Sequence, residues 1–318
     1  MADTPDLVMR AASRLAKQDV PHPSGLDDRA HYRPKVTNGS GAQVQPMPHI
    51  ASPAPTIAPA APTAPLATPP ARSVVLSQAT LAANGIVLPS SGFSRQIEEF
   101  RSIKRQVLST IMRNAPSMGQ GLNRLMMITS AAPAEGKTYV SINLALAIAV
   151  ERDFNVLLID ADAHRQSLVT RLGITAEKGW LDLLTDDSLK PSDVIVGTNI
   201  ANLSVLPAGD TRSEIPELMS SRKMADLVNG LVAENPNRLV IFDSLPCLVS
   251  TEPTILASLV GQVLFVVEAS ETSREAIESS LRLLEGCPSI SLILNKGDPL
   301  LIDQFSKYGY GYAYQAKE

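Results

Sequence analysis

Short runs of apolar residues recur along the chain from about residue 124 and alternate with segments of helical periodicity. The runs cover 124–130, 155–162, 203–209, 238–244, 262–270 and 291–296. Unbroken apolar strands are typical of a parallel sheet that is covered on both faces. Intervening helices are what successive βα units require. The pattern therefore predicts an α/β fold, with a mostly parallel β-sheet flanked by helices.

A helix is predicted just before these runs, over 94–115, with Ser94 as its N-cap. Its apolar residues are spaced three or four apart, as on one face of a helix. This stripe consists of Ile97, Phe100, Ile103, Val107 and Ile111. A later helix is predicted to begin with a capping box of Thr272 and Glu275.

The first part of the chain has a different composition. The stretch 48–70 contains eight prolines and no acidic, Lys or Arg residue, which is typical of an extended, polyproline-like linker. Short helical segments are expected at 6–18, and 74–89 is apolar enough to pack onto the main domain. We predict a disordered Pro/Ala-rich arm over 1–93, one α/β domain over 94–298 and a flexible tail over 299–318.

Composition excludes several classes of function. The formal net charge is −4, which gives no reason to expect nucleic-acid binding. Cys247 and Cys287 alone cannot form a disulfide framework, so a reducing cytosol is expected. The first twenty residues lack the apolar core of a signal peptide, and no apolar run reaches the roughly 18 residues of a membrane span. A membrane role is therefore expected to come through a partner.

The segment 131–138 follows the P-loop pattern G-x-x-x-x-G-K-[ST] except at its first position, which is Ala131. In such a loop, backbone N–H groups at the helix N-terminus point at phosphate oxygens. Lys137 is expected to reach the β and γ oxygens, and the Thr138 hydroxyl to bind Mg²⁺. The predicted nucleotide contacts are Ala134, Glu135, Gly136, Lys137, Thr138 and Tyr139.

Three acidic residues stand where apolar runs end. Asp160 and Asp162 stand at the end of the second run, and Asp243 stands near the end of a later one. Ligands of open α/β sheets bind at the carboxyl ends of the strands, and Mg²⁺ takes one or two carboxylates. These acids are therefore predicted to lie beside the P-loop and to serve a metal.

Four of the six tyrosines fall in the last eleven residues, where they alternate mainly with glycine. They are Tyr308, Tyr310, Tyr312 and Tyr314. A core tyrosine needs an apolar slot and a hydrogen-bond partner, and a glycine-rich terminus supplies neither. By themselves the residues fit either a set of exposed substrates or a sticky, low-complexity end.

The P-loop, "LLIDAD" and "VIFDSLP" together resemble the bacterial tyrosine kinases, which are P-loop proteins of the ParA/MinD branch. "KGWLDLLTDDS" and "LPAGDTRSEIPELMSSRKM" are similar to further segments of that family. "LAANGIVLP" and "EEFRSIKRQVL" resemble the subfamily that accompanies exosortase-linked polysaccharide operons. Two departures are visible: Asp243-Ser244-Leu245-Pro246 replaces D-x-P-P, and His164-Arg165-Gln166 replaces two basic residues and Pro.

The resemblance implies an ATP- and Mg²⁺-dependent protein-tyrosine autokinase. Lys137, Asp160 and Asp162 would be its catalytic residues, with Asp160 nearest the incoming tyrosine hydroxyl. Thr138, Asp162 and Asp243 would hold the metal. The tail tyrosines 308, 310, 312 and 314 would be the phosphoacceptors, entering the site of a neighbouring subunit.

The same resemblance implies a ring-like homo-oligomer, assembled through an E-x-x-R-x-x-R helix. Glu98, Arg101 and Lys104 take those positions here, and Lys104 cannot form the two-pronged contact of an arginine. A transmembrane polysaccharide co-polymerase and a cognate phosphatase are the implied partners. The protein is then expected in the cytoplasm, peripheral at the inner membrane, where it regulates exopolysaccharide chain length and export.

Two other functions fit parts of the sequence. A ParA/MinD-type positioning ATPase would hydrolyse ATP without transferring phosphate to protein, but the early lysine of such loops is absent at Ala131 and Ala132. A nucleotide-binding adaptor would not turn over at all, which the intact acids disfavour. The segment "NKGD" (295–298) also matches a GTPase motif, and we place Asn295 near the nucleobase.

Overall fold

The structure, a computed structural model, describes residues 70–89, 92, 94–114, 118–211 and 214–297. Strands within these ranges form one sheet in the order β1-β4-β5-β3-β6-β2-β7-β8. They are β1 (Arg72–Val74), β2 (Leu125–Ser130), β3 (Asn155–Asp160), β4 (Val196–Thr198), β5 (Leu203–Leu206), β6 (Arg238–Asp243), β7 (Gln262–Glu268) and β8 (Ile290–Asn295). Neighbouring strands are parallel, except that β4 and β5 are antiparallel. The predicted α/β fold is confirmed.

Helices connect the strands and cover both faces of the sheet. They are α1 (Gln78–Ala83), α2 (Arg95–Asn114), α3 (Gly119–Leu122), α4 (Lys137–Ala149), α5 (Ser167–Leu172), α6 (Trp180–Thr185), α7 (Pro191–Val194), α8 (Ile215–Met219), α9 (Arg222–Ala233), α10 (Glu252–Ala257) and α11 (Arg274–Leu283). Within the described ranges, no helix is both long and apolar enough to cross a bilayer.

Strand β2 shows why the central strands are apolar throughout. Leu125 and Met127 point into the core on one face of the sheet, and Met126 and Ile128 point into the core on the other. All four are fully buried. Because neither face meets water, successive residues cannot alternate between apolar and polar.

Helix α4 is the central helix of one layer, packed between the sheet and α2. Almost every residue of α4 is buried, which matches a helix that is apolar on all sides rather than along one stripe. In contrast, α2 is amphipathic. Its stripe residues Ile97, Phe100, Val107 and Ile111 are buried, and the Ile97 N–H donates to the predicted cap, Ser94 Oγ, at 3.2 Å.

Residues before 94 also contribute to the folded sheet. Strand β1 pairs with β4, and Leu76, Leu81 and Ile86 are buried in the same core layer as α4. These buried residues agree with the expected packing of 74–89 onto the main domain, so the folded region begins before the predicted boundary at 94. Strand β1 has only three residues, which leave too little apolar pattern to recognise. The expected helix at 6–18 and the tail over 299–318 lie outside the described residues.

The predicted capping box at Thr272 is wrong. Ser273 is the N-cap of α11, because its Oγ accepts a hydrogen bond from the Ala276 N–H at 3.2 Å. Thr272 instead bonds to Glu135 of the P-loop. Thr and Ser are both common N-cap residues, so the sequence does not show which of two adjacent ones caps the helix. The tertiary structure distinguishes them.

Replacing Leu81 tests whether the segment before residue 94 is part of the domain. Leu81 is 1% exposed, so Leu81→Ala should lower the free energy of unfolding by about 2–5 kcal/mol, through lost burial and the cavity left behind. Urea unfolding would measure this, with Val75→Ala as the control at a side chain that is 81% exposed. Equal stability of the two variants would contradict integration of α1 into the core.

Candidate nucleotide and metal site

The predicted site residues meet because three central strands end side by side. In the sheet order, β6 lies between β3 and β2. The parallel register of β3 and β6 places Asp160 opposite Asp243. The P-loop leaves the end of β2, next to β6. Residues far apart in the sequence therefore converge at one edge of the sheet, as ligand sites of open α/β folds do.

The P-loop turns tightly, and Gly136 is essential to its shape. Gly136 has φ +99° and begins α4. A Cβ atom at this position would lie 1.9 Å from Asn295 Nδ2. The Asn295 amide is this close because it donates a hydrogen bond to the Glu135 carbonyl at 2.9 Å. Asn295 thus supports the backbone of the loop as well as lining the adjacent cavity.

Lys137 and Asp162 form the buried ion pair of the site. The distance between Lys137 Nζ and Asp162 Oδ2 is 3.5 Å, and both side chains are largely buried. The other carboxylate oxygen, Oδ1, accepts from the Arg165 N–H at 3.2 Å. Lys137 is therefore held at the P-loop by a carboxylate, in a position from which a phosphate could attract it.

Asp243 is fully buried and only partly satisfied. Its Oδ1 accepts from Ser141 Oγ at 3.0 Å, and its Oδ2 has no hydrogen-bond partner among the described residues. Burial raises the pKa of Asp243 to about 6, although Lys137, Thr138 and Ser141 oppose the shift. Ser141 lies one helical turn after Lys137, so it shares the face of α4 that meets β6.

Asp160 is the most strongly perturbed acid of the site. Its Oδ2 accepts a long hydrogen bond from the Val169 N–H at 3.4 Å, and its Oδ1 has no partner in the described part of the chain. Burial, and then the charge of Asp243, raise the pKa of Asp160 to about 8. Both effects disfavour a second negative charge here unless a cation accompanies it.

This set of donors fits a magnesium ion. Thr138, Asp162 and Asp243 supply only oxygen atoms, and the unpaired oxygens of Asp160 and Asp243 are buried acceptors that a cation would satisfy. Among the described residues, no group of three or more His, Cys, Asp or Glu side chains is arranged to hold a metal ion. Mg²⁺ needs no such group, because it keeps several waters and binds substrate phosphates.

A cavity of about 1040 Å³ opens in front of the P-loop. That volume suits a nucleotide-sized ligand. The predicted contacts Ala134, Gly136, Lys137, Thr138 and Tyr139 all line it, together with Asn295. Cations also line it, at Arg165, Arg171 and Lys296, which favours a polyanionic ligand. The side chain of Glu135 is buried on the other side of the loop.

Two residues of the site were missed by sequence reasoning. Ser141 holds Asp243 through the hydrogen bond that its Oγ donates. Trp180 Nε1 donates to the Asp160 carbonyl at 2.9 Å, and the ring is buried. The single tryptophan of the chain stands 20 residues after Asp160, and nothing in its sequence surroundings indicates that it holds the end of β3.

The predicted assembly residues lie on α2, outside the phosphate site. Glu98 forms an ion pair with Arg101 one turn away. Lys104 forms an ion pair with Glu151, just after the end of α4 in the same chain. The first pair is partly exposed and accessible to another subunit, whereas Lys104 is already engaged. The four tail tyrosines lie outside the described residues.

Comparison with known proteins first identifies the class of fold. No family model matches the chain. The crystal structure of the chimerical protein CapA2B2 superposes with a TM-score of 0.56 at 23% identity, over 69% of this chain and 99% of that one. The chain thus shares the fold of that structure, in agreement with the predicted mostly parallel α/β sheet.

Comparison of sequences then shows which named proteins the chain is similar to. The tyrosine-protein kinase YwqD of Bacillus subtilis (strain 168) is 29% identical over 216 residues, which are 67% of this chain and 85% of YwqD. The tyrosine-protein kinase CpsD of Streptococcus agalactiae is 28% identical over 177 residues, or 55% of this chain and 76% of CpsD. The predicted resemblance to the bacterial tyrosine kinases is confirmed, since these relatives are named as tyrosine-protein kinases. Its likeness to the exosortase-associated subfamily stays a prediction.

The buried acids predict an unusual dependence of stability on pH. Because the folded-state pKa values of Asp160 and Asp243 are raised, the native state binds more protons than the unfolded state between about pH 4 and pH 8. Without Mg²⁺, the free energy of unfolding should therefore fall as the pH rises from 5 to 8. Added Mg²⁺ should stabilise the protein more at pH 8, where protons no longer compete for the carboxylates.

Urea unfolding with EDTA or Mg²⁺, at several pH values, would measure both effects. Asp160→Asn should flatten the fall in stability, whereas Asp226→Asn, at an exposed carboxylate, should leave it unchanged. A metal-free protein that becomes more stable from pH 5 to pH 8 would contradict the assigned environment of these acids.

Proposed function

We propose that this chain is an ATP-dependent protein-tyrosine autokinase that phosphorylates its own C-terminal tyrosines. The observation that carries the proposal is the group of buried acids beside a P-loop, in a chain whose sequence relatives are named tyrosine-protein kinases. A nucleotide-binding adaptor would have no need of three such carboxylates, two of which have a buried oxygen without a partner among the described residues.

In this proposal the cavity holds ATP by its phosphates. The backbone N–H groups from Ala134 to Tyr139 and the N-terminus of α4 would bind the β-phosphate, and Lys137 would reach the β and γ oxygens. Thr138, Asp162 and Asp243 would hold Mg²⁺, which neutralises charge on the transferred group. The ion pair of Lys137 with Asp162 keeps the ammonium in place before the nucleotide arrives.

Phosphoryl transfer then needs a proton acceptor and correct positioning. The tyrosine oxygen forms a bond to the γ-phosphorus as the bond to the ADP oxygen breaks, and the phenol proton must leave. Asp160 would be the acceptor in its ionised form, which a bound cation would favour, since its Oδ1 has no hydrogen-bond partner among the described residues. Most of the rate enhancement in such transfers comes from positioning and charge stabilisation, so the buried frame around Asp160 matters as much as its basicity.

The four tail tyrosines would be the acceptors, presented to the site of a neighbouring subunit. Each phosphate adds about −1.5 to −2 charges at neutral pH. The phosphates of a modified tail would then repel one another, and the acids of the facing site would repel them as well. Phosphorylation would thereby release the tail and loosen an assembly that the unmodified tail holds together.

The cellular role proposed here rests on the family resemblance. The kinase would regulate exopolysaccharide chain length and export, together with a transmembrane co-polymerase and a cognate phosphatase. It would lie in the cytoplasm, peripheral at the inner membrane through that partner. Glu98, Arg101 and Lys104 would contribute to a ring of subunits.

Mass spectrometry of the C-terminal peptide after incubation with Mg·ATP tests the activity. Phosphate is expected on tyrosines 308–314 of the parent, and more than about 100-fold less in Lys137→Ala, because the lysine stabilises the transferred phosphoryl group. The matched control is Lys178→Ala, at an exposed lysine outside the cavity. The incubation should be run with and without the cytoplasmic segment of a candidate membrane partner.

The result separates the proposal from its alternatives. ATP consumption with an unmodified tail under both conditions would favour a positioning ATPase. Nucleotide binding without turnover would favour an adaptor. Either outcome would overturn the autokinase proposal.

A charge reversal on α2 tests the assembly. Arg101→Glu should place like charges beside Glu98 and shift the protein to a lower mass, because the same contact recurs at every interface of a ring. Sedimentation velocity would measure the mass of the unphosphorylated protein. Arg113→Glu, in the last turn of the same helix, is the control, and an unchanged distribution in both variants would refute the assigned surface.

A further inference from the structure

Glu135 stands inside the phosphate loop, yet its carboxylate is turned away from the phosphate side. Its neighbours Ala134 and Gly136 line the large cavity, whereas Glu135 is 4% exposed. One carboxylate oxygen, Oε2, accepts from the Ala132 N–H at 2.8 Å, behind the loop. A carboxylate that pointed into the cavity would repel a polyphosphate, so the orientation of this side chain matters for binding.

Thr272 fixes that orientation from a distant part of the chain. Its Oγ1 donates to Glu135 Oε1 at 2.5 Å and accepts from the Glu268 N–H at 2.9 Å. Since the backbone donor occupies a lone pair of the hydroxyl, the hydroxyl proton is left free to point at Glu135. The loop that follows β7 thus holds the acid of the loop that follows β2.

Asn295 makes a parallel contact to the backbone of the same residue. Its side-chain Nδ2 donates to the Glu135 backbone carbonyl at 2.9 Å. The backbone carbonyl of Asn295 accepts from the Ala269 N–H at 2.9 Å. The ends of β7 and β8 are further joined by the ion pair of Lys296 with Glu268, at 2.8 Å. Glu135 is therefore held at both its side chain and its carbonyl.

The electrostatics of a neighbouring thiol agree with this direction of the side chain. The pKa of Cys247 is raised to about 11, mainly by burial and in part by the negative charge of Glu135. The Glu135 carboxylate thus lies near Cys247, a buried residue that does not line the cavity.

We propose that Thr272 is a positioning residue for nucleotide binding, which keeps the Glu135 carboxylate behind the phosphate loop. Without the Thr272 hydroxyl, Glu135 Oε1 loses its described donor. A buried carboxylate oxygen without a partner is unfavourable, so the side chain would rotate toward water and the cavity. The inference rests on the proposed function only in that the loop binds nucleotide phosphates.

Isothermal titration with Mg·ADP tests the proposal without relying on kinase activity. Thr272→Val keeps the shape and removes the hydroxyl, and should weaken binding about five- to tenfold. Thr272→Ser keeps the hydroxyl and should bind within about twofold of the parent. The matched control is Ser273→Ala, which removes the cap of α11 at an exposed side chain with no described hydrogen bond to the P-loop; its affinity should equal that of the parent.

A second change shows whether charge is the cause. Glu135→Gln in the Thr272→Val background should restore most of the lost affinity, because the released group is then neutral. If Thr272→Val does not fold, Thr272→Ala replaces it with the same expectation. Equal affinities of the parent and the valine or alanine variant would overturn the proposal, and so would no recovery on adding Glu135→Gln.

The outcome is distinguishable from failure of the kinase proposal. A parent protein that binds Mg·ADP but never phosphorylates a tyrosine would remove the kinase function and leave the role of Thr272 standing. A parent that does not bind Mg·ADP would overturn both.

Discussion

The parallel register of β3 and β6 is the constraint on which the site depends. It sets Asp160 directly beside Asp243 at the buried edge of the sheet, where two negative charges cannot coexist without compensation. Lys137, in the loop after the neighbouring strand β2, supplies part of that compensation, because its charge opposes the rise in the pKa of Asp243. The remaining demand for positive charge is what makes the site suited to Mg²⁺ and a polyphosphate.

Helix α4 holds the P-loop beside these charged groups. Its N-terminus meets the cavity, whereas its length is buried under α2. Because almost all of α4 is packed in the core, its N-terminus is held beside the cavity by contacts that need no ligand. The acidic residue of the loop, Glu135, is held away from the cavity by Thr272, after β7, and by Asn295, at the end of β8.

Much of the architecture could be predicted from the sequence. The apolar runs identify β2, β3, β5, β6, β7 and β8, and the spacing on α2 identifies its buried face, because strands and helices covered by the core must carry that periodicity. Strands β1 and β4 could not be found, since a strand of three residues is too short to show a periodic pattern. The cap of α11 was assigned to the wrong residue of an adjacent pair.

The residues of the candidate site also fall into two groups, those that sequence patterns indicate and those that only contacts in the folded chain reveal. The residues predicted to carry the chemistry could be found from the sequence, because Gly136, Lys137, Thr138 and the acids that end apolar strands stand in recognisable local patterns. That Ser141, Trp180 and Thr272 support this site is visible only in the folded chain. Their contacts cross 102, 20 and 137 positions of the chain, and a hydrogen bond between distant segments leaves no periodic trace in either of them.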